Sequence, residues 1–310
     1  MGETVPQRSV VTPLVLWLGE PSRAGAALVG QKSARLSEFV SRYPVPDGFC
    51  VTINAYRAHL REGGMPQSVK KAVTAAYRRL GERAEGGEET LGPGGVKVAV
   101  RSSAVDEDGQ EASFAGQHET FLNVCGPEQV LGAIESTWRS ARSEAALTYR
   151  RDRGLPDEGA AFAVLVQRLV AADSSGVTFS VDPVSSDLDR IVISANWGLG
   201  ESLVGGTVNP DRWAFEKSSL SLLEASRGGK ERMTIADEQG TRDVNTPTFL
   251  RQLPALDEVQ ALQVARLARE LEGSCGWPVD VEFAFDDKRL WLLQFRPVTA
   301  LASPSVGVSA

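Results

Sequence analysis

The C-terminal segment "WPVDVEFAFDDKRLWLLQFRPVT" constrains the fold more than any other part of the chain. Apolar side chains recur at every second position from Val279 to Phe285, and a second apolar run follows the polar sequence Asp286–Lys288. Side chains alternate between the two faces of a strand, so this pattern is typical of two neighbouring strands with one apolar and one polar face. The segment therefore predicts an antiparallel β-hairpin.

The register of this hairpin decides which polar side chains share a face. A two-residue turn would place Glu282 opposite Leu293 and mix a carboxylate into an apolar face. A three-residue loop, Asp287–Arg289, would instead place Glu282 opposite Gln294. We therefore predict the three-residue loop.

In that register Asp280 also pairs with Arg296, so two carboxylates, an amide oxygen and a guanidinium share one face. Glu282 and Gln294 offer the hard oxygen ligands that Mg²⁺ accepts together with phosphates and water. Arg296 could bind a phosphate oxygen. A solvated face with an ion pair between Asp280 and Arg296 explains the pattern equally well, and the residues alone leave both interpretations open.

A second group of polar residues lies in the N-terminal half. Arg101 follows the apolar strand segment "VKVAV", and its guanidinium matches phosphate geometry. Ser102 and Ser103 add hydroxyls, and the small residues of "SFAGQ", 113–117, would let backbone amides approach phosphates. Lys32 falls at the start of a predicted helix, where anions bind. An ordinary surface loop is the more common interpretation of the stretch after Arg101, and an exposed side chain is the more common interpretation of Lys32.

The overall composition limits the class of function. The chain has 310 residues, of which 42% are hydrophobic and 24% charged, as in ordinary globular domains. A formal net charge of -7 without a Lys/Arg run argues against nucleic-acid binding. The three widely spaced cysteines indicate neither disulfides nor a metal cluster. Since neither a signal peptide nor a run of about 18 apolar residues is recognisable, we expect a soluble, cytoplasmic protein.

Local patterns predict helices and strands that alternate in the N-terminal half, followed by a strand-rich half from Ala161. A helix is predicted from Asp257, its N-cap, through Leu271, with Gly273 as the C-cap. The segment 218–249 is polar with little pattern, and we predict only irregular strands and loops there.

Seven segments occur in a characteristic order: "VGQKSARLSEF", "VPDGFCVTINAYR", "VAVRSSAVDEDGQEASFAGQHETFLNV", "VLVQRLV", "SGVTFSVDP", "NWGLGES" and "DVEFAFDDKRLWLLQFRPVT". Together they resemble the N-terminal ATP-grasp domain of the phosphoenolpyruvate synthase, pyruvate phosphate dikinase and rifampicin phosphotransferase family. The resemblance implies an α+β ATP-grasp fold, with mixed or antiparallel sheets and flanking helices, whose two lobes clamp ATP. The expected lobes are residues 1–160 and 161–300, followed by a flexible tail at 301–310.

The resemblance also assigns the residues that handle phosphate and metal. Lys32 matches the phosphate-binding lysine, Arg101 the arginine that contacts the triphosphate, and Arg296 the arginine at the transferred phosphates. Glu282 and Gln294 match the magnesium ligands. The hairpin pattern and the resemblance therefore lead to the same side chains.

Further residues are assigned to nucleotide binding. Gly116 and Gln117 fall in the small-residue loop that closes over the phosphates, and Ser102 lies on the strand end that precedes this loop. Gln167, with the backbone through Leu169, matches the hinge that faces adenine. These positions complete the expected ATP site.

Two positions depart from the family pattern. Val29 and Gln31 stand where the family usually has a glycine pair before its lysine, so the turn is expected to wrap less closely around phosphate. His118 stands where glutamine is usual. A local hydrogen bond in a loop is a more common role for such a histidine than contact with phosphate.

The resemblance implies an Mg²⁺- and ATP-dependent phosphotransferase, the ATP-grasp half of a dikinase-type enzyme. Its phosphate acceptor would be a histidine on a separate domain or partner protein, with AMP and phosphate as products, because neither His59 nor His118 lies in a recognisable phosphohistidine motif. One alternative is a stand-alone kinase that phosphorylates an antibiotic or metabolite directly and releases ADP. Another is a non-catalytic ATP-binding module. Neither nucleic acid nor a membrane is expected as a partner.

Overall fold

The chain is mixed α and β, with helices packed on antiparallel sheets, so the predicted α+β class is confirmed. The computed structural model describes residues 13–20, 25–83, 91–92, 95–105, 108–109, 112–113, 120–144, 148, 151, 161–238 and 240–299. In these ranges, none of the helices combines the length and the apolar character needed to cross a membrane.

The first sheet contains six strands. These are β1 (Val15–Trp17), β2 (Gly48–Val51), β3 (Leu91–Gly92), β4 (Gly95–Ala104), β7 (Thr120–Cys125) and β8 (Phe162–Arg168). Their order is β1-β2-β8-β4-β3, with β7 also paired to β4, and every pair is antiparallel. A separate short ladder joins β5 (Asp108–Gly109) and β6 (Ala112–Ser113).

Helices cover one face of this sheet and leave the other face toward the middle of the molecule. The covering helices are α2 (Ile53–Glu62), α3 (Gln67–Glu82) and α4 (Pro127–Ser140). On β4, Val98, Val100 and Ala104 point into the core beneath these helices. Side chains alternate along a strand, so Arg101 points the other way.

The second sheet also contains six strands. These are β9 (Ser174–Phe179), β10 (Arg190–Trp197), β11 (Asp211–Glu216), β12 (Leu222–Ser226), β15 (Val279–Asp286) and β16 (Arg289–Pro297). Their order is β12-β11-β10-β9-β15-β16. The remaining elements are α5 (Glu201–Val204), the hairpin of β13 (Arg232–Asp237) and β14 (Gly240–Asn245), α6 (Thr248–Gln252) and α7 (Glu258–Cys275).

The second core lies between this sheet and α7, and α1 (Ala26–Phe39) adds to it from the N-terminal half. Leu36 and Phe39 of α1 are buried there, and the ring of Phe39 meets that of Phe295 edge-on at 5.2 Å between centroids. Helix α1 therefore links the two sheets.

The predicted lobe boundary at residue 161 does not coincide with the division between the two sheets, and the lobes themselves stay a prediction. Strand β8 pairs with β2 and β4 and so completes the first sheet. The chain crosses between the sheets after Arg168. The N–H of Leu169 still donates to Lys97 O on the first sheet at 2.9 Å, whereas the N–H of Asp173 donates to Phe285 O on the second sheet, also at 2.9 Å. Apolar content marked β8 as a strand but could not identify its partners. The predicted tail, 301–310, lies outside the described residues.

The predicted pairs of the C-terminal hairpin are confirmed. Glu282 lies opposite Gln294, and Asp280 lies opposite Arg296. Side chains of the opposite face, including Val281, lie in the second core. Up to Glu282 on β15, and from Gln294 on β16, the polar and apolar faces are therefore arranged as the alternation predicted.

The predicted three-residue loop is wrong. The turn contains two residues, Asp287 and Lys288, with φ of 43° and 68° as in the type I′ turns that suit twisted hairpins. The register is restored by a β-bulge, since Phe283 pairs with Leu292 and Leu293 is the extra residue. A bulge changes which residues face each other without any turn signal, and this is why the pattern suggested a longer loop.

Two further local predictions were wrong in detail. Asp257 is the N-cap of α7, as expected, and forms a capping box with Gln260. The C-cap is Gly276, at φ 77°, whereas Gly273 lies inside the helix, where glycine is tolerated at about 1 kcal/mol. The segment 218–249 contains the regular strands β12 to β14, which share a weak apolar pattern because their outer faces are exposed.

Candidate functional site

A cavity of about 400 Å³ lies where the two sheets meet. Strands β4, β8, β9, β15 and β16 and helices α1 and α5 contribute to its wall. The predicted residues that line it are Lys32, Arg101, Gln167, Leu169, Glu282, Gln294 and Arg296. Residues far apart in the sequence thus converge on one site.

Arg101 connects the two sides of this cavity. Its guanidinium donates from Nη1 to Glu282 Oε2 at 3.0 Å and to Gln294 Oε1 at 3.4 Å. Only 8% of the residue is exposed, and its buried Nε has no hydrogen-bond partner among the described residues. Arg101 therefore holds unused donor capacity next to the two predicted metal ligands.

The oxygens of Glu282 and Gln294 are suited to a divalent cation. They lie on paired positions of β15 and β16, and both reach the same Nη1 of Arg101, so they converge on one point. Mg²⁺ usually takes one or two protein oxygens and completes its shell with phosphates and water. In the described ranges, no group of three or more His, Cys, Asp or Glu side chains is arranged to hold a metal ion.

Arg296 is held by Asp280. Its Nε donates to Asp280 Oδ2 at 2.8 Å, so the cross-strand ion pair considered from the sequence is present. Asp280 is 7% exposed, whereas the side chain of Arg296 is 30% exposed and lines the cavity, so the face opens to the cavity at Arg296. The ion pair fixes the direction of the guanidinium, which is what phosphate binding needs.

Lys32 is positioned by a break in α1. Gly30 has φ 74° and ψ 169°, so Lys32 lies in the first turn of the second part of the helix. Ser103 Oγ accepts from the Ser33 N–H at 3.1 Å and donates to Val29 O at 2.8 Å. A Cβ on Gly30 would lie 1.8 Å from Ser103 O, so the turn packs tightly on β4. Its fit around phosphate stays a prediction.

Other predicted residues lie elsewhere. Ser102 is 2% exposed and does not line the cavity, because neighbours on a strand point to opposite faces and Arg101 occupies the inner one. The role of Ser102 in cofactor binding stays a prediction. Gly116, Gln117 and His118 lie outside the described residues.

The predicted adenine hinge forms one wall of the cavity. Gln167 is 2% exposed, and its Nε2 donates to Pro46 O at 3.3 Å. The N–H of Leu169 already donates to Lys97 O. A base against this wall would therefore meet the other backbone groups and the apolar side chains of the segment. These include Val170.

Several wall residues were missed from the sequence. These are Ala99, Thr120, Leu122, Arg168, Val170, Ala172, Ser175, Gly176, Val177, Leu199, Gly200, Glu201, Val204, Phe283, Ala284 and Leu293. Glu201 lies in "NWGLGES", a segment that carried the resemblance but received no role. Leu293 lines the cavity next to Gln294 because of the bulge, which no local signal revealed.

The charge of the cavity differs from that of the chain. Four wall residues are cationic, namely Lys32, Arg101, Arg168 and Arg296, and two are acidic, namely Glu201 and Glu282. The whole chain carries a formal charge of -7. A positive cavity in an acidic protein attracts a small anion in preference to a polyanionic surface.

Comparison with known proteins identifies the family. The family model described as "Pyruvate phosphate dikinase, AMP/ATP-binding domain" matches residues 58–308. A probable phosphoenolpyruvate synthase of Methanocaldococcus jannaschii is 35% identical over 93% of this chain and 27% of the relative. The prodigiosin synthesizing transferase PigC of Serratia marcescens is 36% identical over 92% of this chain and 32% of the relative. A rifampicin phosphotransferase of Streptomyces sviceus is 34% identical over 94% of this chain and 36% of the relative.

The chain spans roughly a quarter to a third of the length of these relatives. The family match covers most of the chain, including β4, β8 and the C-terminal hairpin. The chain therefore belongs to the pyruvate phosphate dikinase AMP/ATP-binding domain family, as its resemblance implied.

Proposed function

We propose that the chain binds Mg²⁺ and ATP and is the ATP-grasp half of a dikinase-type phosphotransferase. One observation carries the proposal: three predicted cations and two predicted metal ligands, which are spread from residue 32 to residue 296, line a single cavity. The family match and the names of the relatives support it. The phosphate acceptor is a histidine on a separate domain or partner protein. The free cysteines of the described part fit a cytoplasmic location.

Catalysis rests on positioning and on charge neutralisation. Lys32, Arg101 and Arg296 face the phosphates and stabilise the charge that spreads over the transferring group, so this chain need not supply a nucleophile. The acceptor histidine attacks the β-phosphorus of ATP, so a P–N bond forms while the P–O bond to AMP breaks and AMP leaves. Water then cleaves the remaining phosphoanhydride bond, which releases phosphate and leaves phosphohistidine. Arg296 keeps its direction through Asp280, which positions it without touching substrate.

Arg101 exchanges partners when nucleotide enters. Glu282 and Gln294 would hold Mg²⁺, which neutralises phosphate charge when bound. The Arg101 guanidinium, now hydrogen-bonded to those same two oxygens, then turns to the phosphates. Its unpartnered Nε offers a further donor for this purpose.

Phosphorus NMR of the purified chain with Mg²⁺ and ATP tests the proposal. Spectra are recorded for the chain alone, with small-molecule acceptors, and with a protein that carries the phosphohistidine domain of a relative. AMP and phosphate that form only with the histidine-bearing protein support the relay. Formation of ADP and a phosphorylated small molecule would contradict the relay and show a stand-alone kinase. ATP that binds but remains intact with every acceptor would show a non-catalytic ATP-binding module.

Arg296→Ala separates an enzyme from a binding module. An enzyme loses turnover far more than ATP affinity, because Arg296 acts on the transferred phosphates. Arg212→Ala, at an exposed position on β11, is the matched control and leaves turnover unchanged. Equal loss of ATP affinity and of turnover in Arg296→Ala would contradict a catalytic role.

A further inference from the structure

Another cavity lies on the outer side of the first sheet, between α2 and the C-terminal half of α4, and is called the helix cavity below. Its volume is about 530 Å³, and its wall includes Tyr56, His59, Trp138 and Arg139. Tyr56 and Trp138 belong to the core beneath the covering helices, whereas Arg101 points to the opposite side of the same sheet. None of the described residues lines both this cavity and the one between the sheets.

Two buried ring nitrogens in residues of the helix cavity have no hydrogen-bond partner in the described part of the chain. They are Nε1 of Trp138, a residue that is 1% exposed, and Nδ1 of His59. A buried polar group without a partner is costly, and an indole N–H can only donate. A ligand oxygen that accepts from Trp138 would remove that cost. Nδ1 of His59 can donate to the same ligand in one of the two neutral tautomers.

Two arginines make the rim of the helix cavity positive. Arg139 lies in the last turn of α4, and Arg142 follows the helix, with its N–H donating to Arg139 O at 3.0 Å. Both side chains are exposed, and neither guanidinium has a hydrogen bond or ion pair with a described residue. Glu135 is the one acidic residue among the described residues of the wall. Two guanidiniums, which match carboxylate geometry, therefore outweigh one carboxylate.

Aromatic rings form the inner wall of the helix cavity. The ring of Trp138 lies 4.9 Å from that of His59 and 5.7 Å from that of Tyr56, measured between centroids. Tyr56 in turn meets Phe162 of β8 edge-on at 5.7 Å. These contacts fix the rings, and aromatic rings attract a further flat ring in offset or edge-on contact. The helix cavity thus combines an aromatic wall with unused donors and a positive rim.

We propose that the helix cavity binds a small aromatic carboxylate. The carboxylate accepts hydrogen bonds from Arg139, Arg142 and Trp138 Nε1. The ring of the ligand packs against His59 and Trp138. A carboxylate matches these donors because it only accepts hydrogen bonds and because its bonds to guanidinium groups are charge-assisted. A volume of about 530 Å³ lies within the range of small-molecule sites. The inference does not require ATP to bind, since the first sheet separates the two cavities.

Titration with 3-phenylpropionate, followed by ¹H–¹⁵N NMR of the indole N–H groups, tests the inference. The chain contains six tryptophans, and Trp138→Phe identifies the resonance of Trp138 by its absence. We expect this resonance to shift as the probe binds. The uncharged analogue 3-phenylpropanamide should bind about tenfold more weakly, because it loses a charge-assisted hydrogen bond.

Variants of the rim separate a built site from non-specific contact. Arg139→Ala and Arg142→Ala should each weaken binding of 3-phenylpropionate about tenfold and leave binding of the amide nearly unchanged. Glu135→Gln should tighten binding of the carboxylate, because it removes a negative charge from the wall. Arg78→Ala, at an exposed position on α3 outside the helix cavity, is the control and behaves like the unaltered chain.

Three results would overturn the inference. In the first, the Trp138 resonance does not move with the probe. In the second, phenethylamine, which carries an ammonium group in place of the carboxylate, binds more tightly than 3-phenylpropionate. In the third, Arg78→Ala weakens binding of the probe as much as Arg139→Ala does. None of these results affects the proposed function, because the titration contains no nucleotide.

Discussion

The guanidinium of Arg101 and the carboxylate of Glu282 are joined across the two sheets, with 3.0 Å between Nη1 and Oε2. Arg101 stands on β4 of the first sheet and Glu282 on β15 of the second. The side chains are 10% and 27% exposed, so solvent screens this pair less than a surface pair. One contact thus ties the sheets together and places an arginine that is predicted to bind phosphate beside a predicted metal ligand.

We expect Arg101 and Glu282 to be energetically coupled. In a double-mutant cycle with Arg101→Ala and Glu282→Ala, the coupling should be about 1–2 kcal/mol in the free energy of unfolding, because each partner is partly withdrawn from water. Urea denaturation measures it. The exposed pair Arg190 and Glu224 is the control, and it should couple by less than about 1 kcal/mol. Equal coupling in both pairs would show that the inter-sheet contact is no stronger than a surface ion pair.

Gly30 should tolerate no side chain. An alanine Cβ there would overlap Ser103 O, and φ is 74°, so Gly30→Ala should lower the free energy of unfolding by about 3 kcal/mol. Gly132→Ala provides the opposite control, because Gly132 lies inside α4 with open space around its Cβ. That substitution should stabilise the chain by about 0.5–1 kcal/mol. Thermal unfolding measures both, and a shift of the same sign in both variants would contradict the packing of α1 on β4.

Asn123 holds the β13–β14 hairpin against the first sheet. Its Nδ2 donates to Asp237 O at 2.5 Å and to Gly240 O at 2.7 Å, and its φ is 56°. Asn123→Gly accepts this φ but loses both hydrogen bonds, so local opening should become easier by about 1–3 kcal/mol. Hydrogen exchange measured by mass spectrometry should therefore be faster in residues 232–245. Exchange in α3, on the far side of the first sheet, should not change. Faster exchange everywhere would indicate global destabilisation instead of a released hairpin.

Stability should fall at high pH partly through Cys50. Burial raises the pKa of this thiol from 9.0 to about 12, although hydrogen bonds with Ser33 and Val164 partly oppose the shift. The unfolded thiol therefore loses its proton first, and its contribution to stability is intact below pH 9 and is lost between pH 9 and 12. The slope is about 1.4 kcal/mol per pH unit over that range.

Urea denaturation from pH 8 to pH 11 measures the Cys50 effect. Cys50→Ala should be less stable at pH 8, because it leaves a cavity, but its stability should decline less steeply above pH 9. Tyr43 and Tyr77, whose pKa values burial also raises to about 12, remain in both proteins and cancel in the comparison. Parallel pH profiles would show that Cys50 ionises at the same pH in the folded and unfolded chains.

Local patterns predicted much of the site. The alternation in the C-terminal hairpin placed Glu282 opposite Gln294 and Asp280 opposite Arg296, because a period of two and a buried apolar face leave few registers. The same pattern gave the wrong turn, since a bulge at Leu293 restores the register after a two-residue turn. A bulge depends on packing against the neighbouring strand and leaves no mark on hydrophobic periodicity.

The face of a strand on which a side chain lies was harder to predict than which residues belong to the strand. Arg101 and Ser102 are adjacent polar residues after the same apolar run, and no sequence pattern distinguishes their roles. The structure directs Arg101 into the cavity and Ser102 into the opposite face, because the helices cover the face that carries Val98 and Val100. Which face is covered depends on α3 and α4, distant in the sequence.

The sequence by itself determined the family and the α+β class, because these follow from local order and from resemblance. It also predicted which residues bind phosphate and metal. Only the tertiary structure decided that β8 belongs to the first sheet, that Gly30 packs on Ser103, and that Glu201 shares a cavity with Glu282. The physical reason is that side-chain periodicity reports only how one segment is exposed. Contacts between elements depend on pairing, bulges and packing, which are settled when the two sheets come together.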